Sequence, residues 1–438
     1  MPTAITVPAR SLAVLADVEV LVCGAGPAGC AAAVSAARHG AETLLVEKTG
    51  ACGGAPVTQL VGVVLSTNGI DFQGIWHEWA RCLQRRNGIT RMVRSPSHHY
   101  KQDLRWFRAS VDPEMVKWAW EELLDGAGAQ ILFHATVTDV VGDGESLAGV
   151  CVHTRAGNAV IRAKRIIDAT GDGIVCHQAG VPWHRGTDKP WPQEVSLNQQ
   201  VGWTEPPEGY RPGEAHDPTG PVFGNRPERL ARRDMREVDP LDPWEVTRAQ
   251  REMRRAHWED AAGLPPDRYL VATAPDLGVR TSRIIRGIDT VTEDDAWKYR
   301  KRDDGIARSS WELDVHPPDD APIPDRYYHS RSNAYRDRCA RTAAGEWFDI
   351  PCGALLPEKP DNLLAAGRIV SSELLAQGSL RIQQTCISTG QAAGAVAALS
   401  LRHEVPPRDL DVDKLQQALK EARDVPPAFE CLDGITHQ

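Results

Sequence analysis

Three glycines at fixed spacing, Gly24-x-Gly26-x-x-Gly29, follow the apolar run 18–23 and open an alanine-rich stretch over 30–39. Each glycine has a distinct task in a phosphate-binding turn. The first makes the tight turn, the second lets backbone approach a pyrophosphate, and the third lets a helix sit close on the sheet. Pro27 and Ala28 would fill the first helical turn, whose free N–H groups and partial positive charge meet phosphate oxygens. Glu47 closes a second apolar run 23 positions after Gly24, where an acid can accept hydrogen bonds from ribose hydroxyls. These residues together describe a site for an adenosine diphosphate group. FAD and NAD both carry that group, so the loop alone does not choose between them.

The elements that must position this loop read as strand, helix and strand over 18–23, 30–39 and 43–47, which is βαβ punctuation. Helices are expected over 71–86 and 113–125, the second capped by Asp112 with Pro113 in its first turn. Strands follow at 130–141, 147–153 and 164–170, the last running into Gly171-Asp172-Gly173. From about 183 the texture changes, with frequent Pro, Trp and charge and short apolar runs until 269–274 and 281–288. Buried-strand texture returns near Leu363-Leu364-Ala365-Ala366-Gly367. A small-residue helix over 383–401 comes next, then an amphipathic segment at 410–423.

The expected fold is therefore α/β: a Rossmann-like dinucleotide-binding domain assembled from 1–182 and 346–405. An α+β substrate or cap domain is inserted at 183–345, and a helical tail occupies 406–438.

Two later segments favour FAD. Ile166-Ile-Asp-Ala169-Thr170-Gly171-Asp172-Gly and Asp361-Asn-Leu-Leu-Ala-Ala-Gly367-Arg368 resemble the strand-end and return motifs of flavoproteins with a glutathione-reductase-type FAD fold. Glu47-Lys48 with Gly53-Gly54, and Thr389-Gly390-Gln391-Ala-Ala-Gly394, match further segments in the same order. The chain thus resembles the bacterial FAD-dependent oxidoreductase family, distantly similar to fumarate reductase flavoprotein subunits. The resemblance implies FAD contacts at Val137, Ala169, Thr170, Gly171, Asp172, Gly367, Arg368, Gln383 and Gln384, beside the loop residues. It also implies that the N-terminus of the helix at 383 faces the flavin.

On the substrate side of the flavin the candidates are Arg283, His316 and Arg381. An arginine can clamp a carboxylate or stabilise charge on the flavin N1–C2=O edge, and a histidine moves protons near neutral pH. The bland alternatives are an arginine that ties domains together and a histidine that caps a loop. The run 280–287 carries Thr281 and Ile284 where similar stretches hold an acid and a second arginine. Cys52 is read as a passive thiol, and the adjacent His98 and His99 point apart in an extended loop, which disfavours a shared metal. Of the 13 tryptophans, Trp183, Trp191, Trp203, Trp244, Trp258, Trp297 and Trp311 fall in the middle of the chain. They would serve as core packing or as an aromatic pocket.

Composition removes several classes. Acidic residues outnumber basic ones, 59 to 50, which disfavours nucleic-acid binding. The ten cysteines form no CxxC pair, so no metal site or dithiol redox motif is expected. The apolar stretch 12–37 is broken by Asp17, Glu19 and a Gly-Pro turn, which argues against a membrane span. Without a charged segment ahead of an apolar run at the N-terminus, the expected location is the cytoplasm. No second G-x-G-x-x-G supplies an NAD(P)H domain, and no G-x-W-x-W-x-I-P run supports a halogenase.

The function expected is hydride transfer between tightly bound FAD and a small organic substrate, with dioxygen or a separate carrier resetting the flavin. A flavin monooxygenase using NAD(P)H and dioxygen, and a non-catalytic flavin-binding redox subunit, stand as alternatives.

Overall fold

The computed structural model describes residues 9–90, 92–96, 105–190, 192–204, 222–224, 237–316, 338, 340–342 and 344–423. His98, His99 and Trp191 lie outside the described residues, as does the side chain of Trp203.

Strand β1 (Ala13–Cys23) leads through the glycine loop into helix α1 (Pro27–Arg38), and the chain returns as β2 (Thr43–Val46) parallel to β1. Val20, Leu21, Val22 and Cys23 have no solvent exposure. Such a run, apolar on both faces, suits an inner parallel strand covered by helices on each side. The parallel order is Gln130–Leu132, β2, β1, the end of Gly157–Asp168, and Leu363–Ala365. The first half of Gly157–Asp168 instead carries an antiparallel meander with Leu147–Thr154 and Thr136–Gly142. One long strand thus carries β1 on one edge and, on the other, the meander followed by Leu363–Ala365, all in a single seven-stranded sheet. Asn362 aligns the late strand with it, accepting from the Leu147 amide and donating to the Leu147 and Lys164 carbonyls.

The helix Gln383–Arg402 lies against α1, and small residues make that approach possible. A Cβ on Gly390 would sit 2.0 Å from the Ala28 carbonyl oxygen, and one on Gly394 would sit 2.2 Å from that of Ala32. Those contacts are shorter than any real carbon–oxygen approach, so only glycine fits between these backbones.

The stretch expected as one strand over 130–141 is two, because His134 takes a left-handed φ of 54° between them. One piece joins the parallel sheet and the other the meander. Of the apolar run over 281–288, only Ile284–Ile285 forms a strand, paired with Trp183–His184.

In the middle of the chain, Val222–Gly224, Gln199–Trp203 and Arg268–Thr273 form a small antiparallel sheet. A helix, Pro243–Ala261, packs against its outer strand. Its start follows capping rules, with Asp242 accepting from the Trp244 and Glu245 amides and Pro243 in the first turn. Ala249, Met253 and His257 are its buried positions, too sparse an apolar stripe to announce a helix. Ala249 and Met253 join Val195, Leu197, Val238 and Leu277 in a core distinct from the main one. Val291, Ala296, Ile306 and Leu313 belong to the main core instead, so the chain rejoins the nucleotide-binding body before residue 315. No helix among the described residues is long and apolar enough to cross a membrane.

Candidate active site

The three glycines of the first loop do not answer to the same constraint. Gly24 has φ 99°, and a Cβ there would lie 2.6 Å from the Ala169 carbonyl oxygen. At Gly29 the Cβ would lie 1.7 Å from the Gly24 carbonyl oxygen. The chain itself demands both. Gly26 differs: its φ is −72°, open to any residue, and the nearest atom to an added Cβ is the Gly54 Cα at 4.0 Å. None of the described residues fills that space, which opens on a cleft lined by Gly24, Gly26, Ala28, Lys48, Thr170 and Arg368 among others. No side chain caps α1, so its first-turn N–H groups are left to a ligand in this cleft. A glycine with no structural reason, beside an uncapped helix end, is what close approach of a pyrophosphate requires.

Glu47, almost fully buried, is already engaged by its own surroundings. One carboxylate oxygen accepts from the Ala25 amide at 2.7 Å and the other from the Thr49 amide at 2.8 Å. It therefore locks the glycine loop to the end of β2 while still lining the cleft. Gly53 donates to the Ala25 carbonyl, and Gly54, at φ 56°, packs on Gly26.

The opposite wall is the strand end Ala169–Asp172. Burial pushes the Asp172 carboxyl up, but the Arg368 guanidinium at 2.7 Å and the Ser282 hydroxyl at 2.7 Å outweigh it and hold the group below its ordinary value. Gly367, at φ 82°, meets Ala28 across the cleft. Val137 sits in the meander, packed on the second apolar cluster, and does not line the cleft. Gln384 also turns away: its amide donates to the Leu65 carbonyl and to Asp71.

A second cavity of about 340 Å³ adjoins this cleft, and Ala55, Gln59, Arg368, Arg381 and Gln383 line both. Its polar wall centres on Asp314. The Arg381 guanidinium donates to the Asp314 carboxylate at 2.9 Å and to its carbonyl at 2.7 Å, while His316 Nε2 meets the other carboxylate oxygen at 2.8 Å. Burial alone would raise the Asp314 carboxyl. The charges of Arg381, His316 and Arg280 overcome it and hold Asp314 well below the ordinary carboxylate range. Behind this wall, the buried Gln193 accepts from the His316 amide at 3.0 Å and donates to Thr281 at 2.6 Å; Thr281 in turn donates to Gln377 at 2.9 Å. Gly378 lets the irregular segment at Asp314 press on this layer, since a Cβ there would lie 2.9 Å from the Asp314 amide nitrogen.

The structure thus brings His316 and Arg381 together and leaves Arg283 apart. Arg283 lines neither cavity. It donates to the Asp172 carbonyl at 2.8 Å and lies 5.2 Å over the Trp183 ring, bracing the loop of the cofactor cleft from outside. Arg280, three positions earlier, is the arginine of that run that reaches the second cavity. Arg381 carries a charge balanced by Asp314, so it adds less to the following helix end than its position in the sequence implies. Of the tryptophans, Trp311 lines the second cavity, Trp297 packs on the main core, and Trp244 and Trp258 are exposed. Cys52 is fully buried.

The family described as FAD dependent oxidoreductase matches the chain over residues 19–197 and 189–419. Solved structures of similar course include a geranylgeranyl bacteriochlorophyll reductase-like protein from Thermoplasma acidophilum. That match has 12% identity, covers 93% of this chain and 84% of that one, and has a TM-score of 0.44. The anhydrotetracycline hydroxylase of Streptomyces rimosus gives 15%, 93%, 66% and 0.46. The p-nitrophenol 4-monooxygenase of Pseudomonas putida DLL-E4 gives 14%, 94%, 86% and 0.43. At these scores nothing about substrate passes from them to this chain.

Proposed function

The chain belongs to the FAD dependent oxidoreductase family, and from that premise we propose that it exchanges a hydride between FAD and a small organic substrate held in the second cavity. Bound FAD supplies the two-electron chemistry. The residues of this chain supply binding, orientation and a proton. The open space beside Gly26 and the uncapped end of α1 would take the pyrophosphate, with Lys48 and Arg368 in the same cleft. Asp172, itself held by the Ser282 hydroxyl, fixes the Arg368 guanidinium, and Glu47 holds the glycine loop in place.

The proton falls to His316. Asp314 engages Nε2, which leaves Nδ1 without a partner among the described residues. A carboxylate that holds one ring N–H directs the lone pair of the other nitrogen outward, the arrangement a general base needs. The Gln193 layer fixes the backbone from which the imidazole projects.

One observation supports this reading above the rest: the dinucleotide cleft and the second cavity meet at Arg368, Arg381 and Gln383, so a substrate there lies next to one end of the cofactor site. Dioxygen or a separate carrier then resets the flavin. Anaerobic titration of the purified protein against classes of organic reductants, and against NADH and NADPH, tests it. Bleaching of the flavin by an organic reductant is the expected result. Bleaching by nicotinamide alone, with an organic compound consumed only when oxygen is present, would replace it with a monooxygenase reading.

A further inference from the structure

We propose that the second cavity recognises a small organic anion, a carboxylate on an apolar body, and that Arg280 is the group that holds its charge. This rests on the reading of that cavity as the substrate site.

The charges lining the cavity do not cancel. Among the described residues that line it, the guanidinium groups of Arg280, Arg368 and Arg381 face a single carboxylate, Asp314, with the His316 imidazole beside it. Arg368 is committed to Asp172 at 2.7 Å. Arg381 and His316 share Asp314, at 2.9 and 2.8 Å. Arg280 feels the Asp314 charge but makes no ion pair of its own among the described residues. Among the described residues its guanidinium makes one hydrogen bond, to the Glu194 backbone carbonyl at 2.7 Å. The Glu194 carboxylate does not line the cavity.

Burial, and then the nearby Arg381 charge, lower the Arg280 guanidinium to about 10, so it stays cationic at neutral pH. A guanidinium carries five N–H donors in a planar fork. With one neutral acceptor, most of that capacity is unspent in a partly dehydrated site. An anionic ligand oxygen pair satisfies the fork in a way a neutral group cannot, and the low dielectric strengthens the attraction.

The remainder of the cavity sets the body of the ligand. Leu60, Val63, Leu65, Val279, Trp311 and Ile382 line it, surface that an inorganic anion would leave uncovered. The two arginines divide the work by position: Arg381 lines both cavities, whereas Arg280 lines only the second. Arg280 is therefore placed to meet a substrate and not the dinucleotide.

The test is calorimetric titration of the FAD-loaded protein with acetate, benzoate and phenylacetate, each against its neutral amide, with inorganic phosphate as a further probe. At least one carboxylate should bind ten times or more tighter than its amide and than phosphate. In Arg280→Met that carboxylate should weaken at least tenfold while the amide is unchanged, and Arg280→Lys should recover part of the loss with the same FAD content. Equal binding of acid and amide, phosphate binding as tightly, no binding by any of the three acids, or an unaltered Arg280→Met variant would each overturn the proposal. Should Arg280→Met fail to retain FAD, the acid-to-amide ratio in the unaltered protein and in Arg280→Lys decides. The heat of binding needs no turnover. A protein that binds benzoate through Arg280 yet is reduced by no organic compound therefore keeps this assignment and loses the proposed reaction.

Discussion

Gly26→Ala separates a glycine required by a ligand from one required by the fold. At Gly26 the backbone has φ −72° and ψ 179°, a conformation alanine adopts freely, and the added methyl finds no atom nearer than 4.0 Å. The apoprotein should lose no stability, and the smaller entropy of the unfolded chain should add about 0.4–1 kcal/mol. The same methyl projects into the space through which backbone would reach the pyrophosphate. Displacing one or two charge-assisted N–H···O contacts, at about 1.5–3 kcal/mol each, should weaken FAD binding about 10- to 150-fold per contact. Gly29→Ala is the opposite case. Its Cβ would lie 1.7 Å from the Gly24 carbonyl oxygen, a backbone clash no rotamer relieves, which should cost about 3 kcal/mol or more of apoprotein stability. FAD content by visible absorption and thermal melting of the stripped proteins read both effects. If Gly26→Ala holds FAD as the parent does, or melts as low as Gly29→Ala, the division between the two glycines is wrong.

Arg283→Met should lose FAD about tenfold faster on gel filtration, because Arg283 braces the Asp172 loop. Ligand affinity in the second cavity should be unchanged, and a loss there would show that Arg283 reaches the substrate after all. His316→Gln should keep its FAD while flavin reduction by substrate slows about a hundredfold; an unaltered rate would make His316 structural. Asp71 is a buried acid raised from 3.8 to about 6 by burial, with hydrogen bonds from Ser66 and Gln384 opposing. The folded state therefore keeps its proton where the unfolded chain has lost it. Stability should fall by about 3 kcal/mol as pH rises through roughly 4 to 6, and level off above that. Denaturant melts of the parent and Asp71→Asn across that window should diverge by this amount, and parallel curves would refute it.

The dinucleotide site was legible because its information is local. Strand, glycine loop and helix are contiguous, and Glu47 follows at the distance one βαβ unit imposes. Asp112 and Pro113 announced their helix by the same local rules. The return motif at 361–368 was readable as a motif, but its pairing with Ile166–Asp168 is a tertiary fact. The second cavity was not legible, since its wall is gathered from residues near 60, 196, 280, 314 and 382. Within the run Arg280-Thr-Ser-Arg283, most of which is irregular, no period tells which arginine turns toward a cavity. Buried Thr281 and Ser282, bonded to Gln377 and Asp172, orient that stretch. Residue types thus carried the FAD assignment and the glycine loop that opens on the cleft. Which charges remain unpaired beside it depends on long-range packing, because a charge is surplus only once every neighbour that might neutralise it has taken its place.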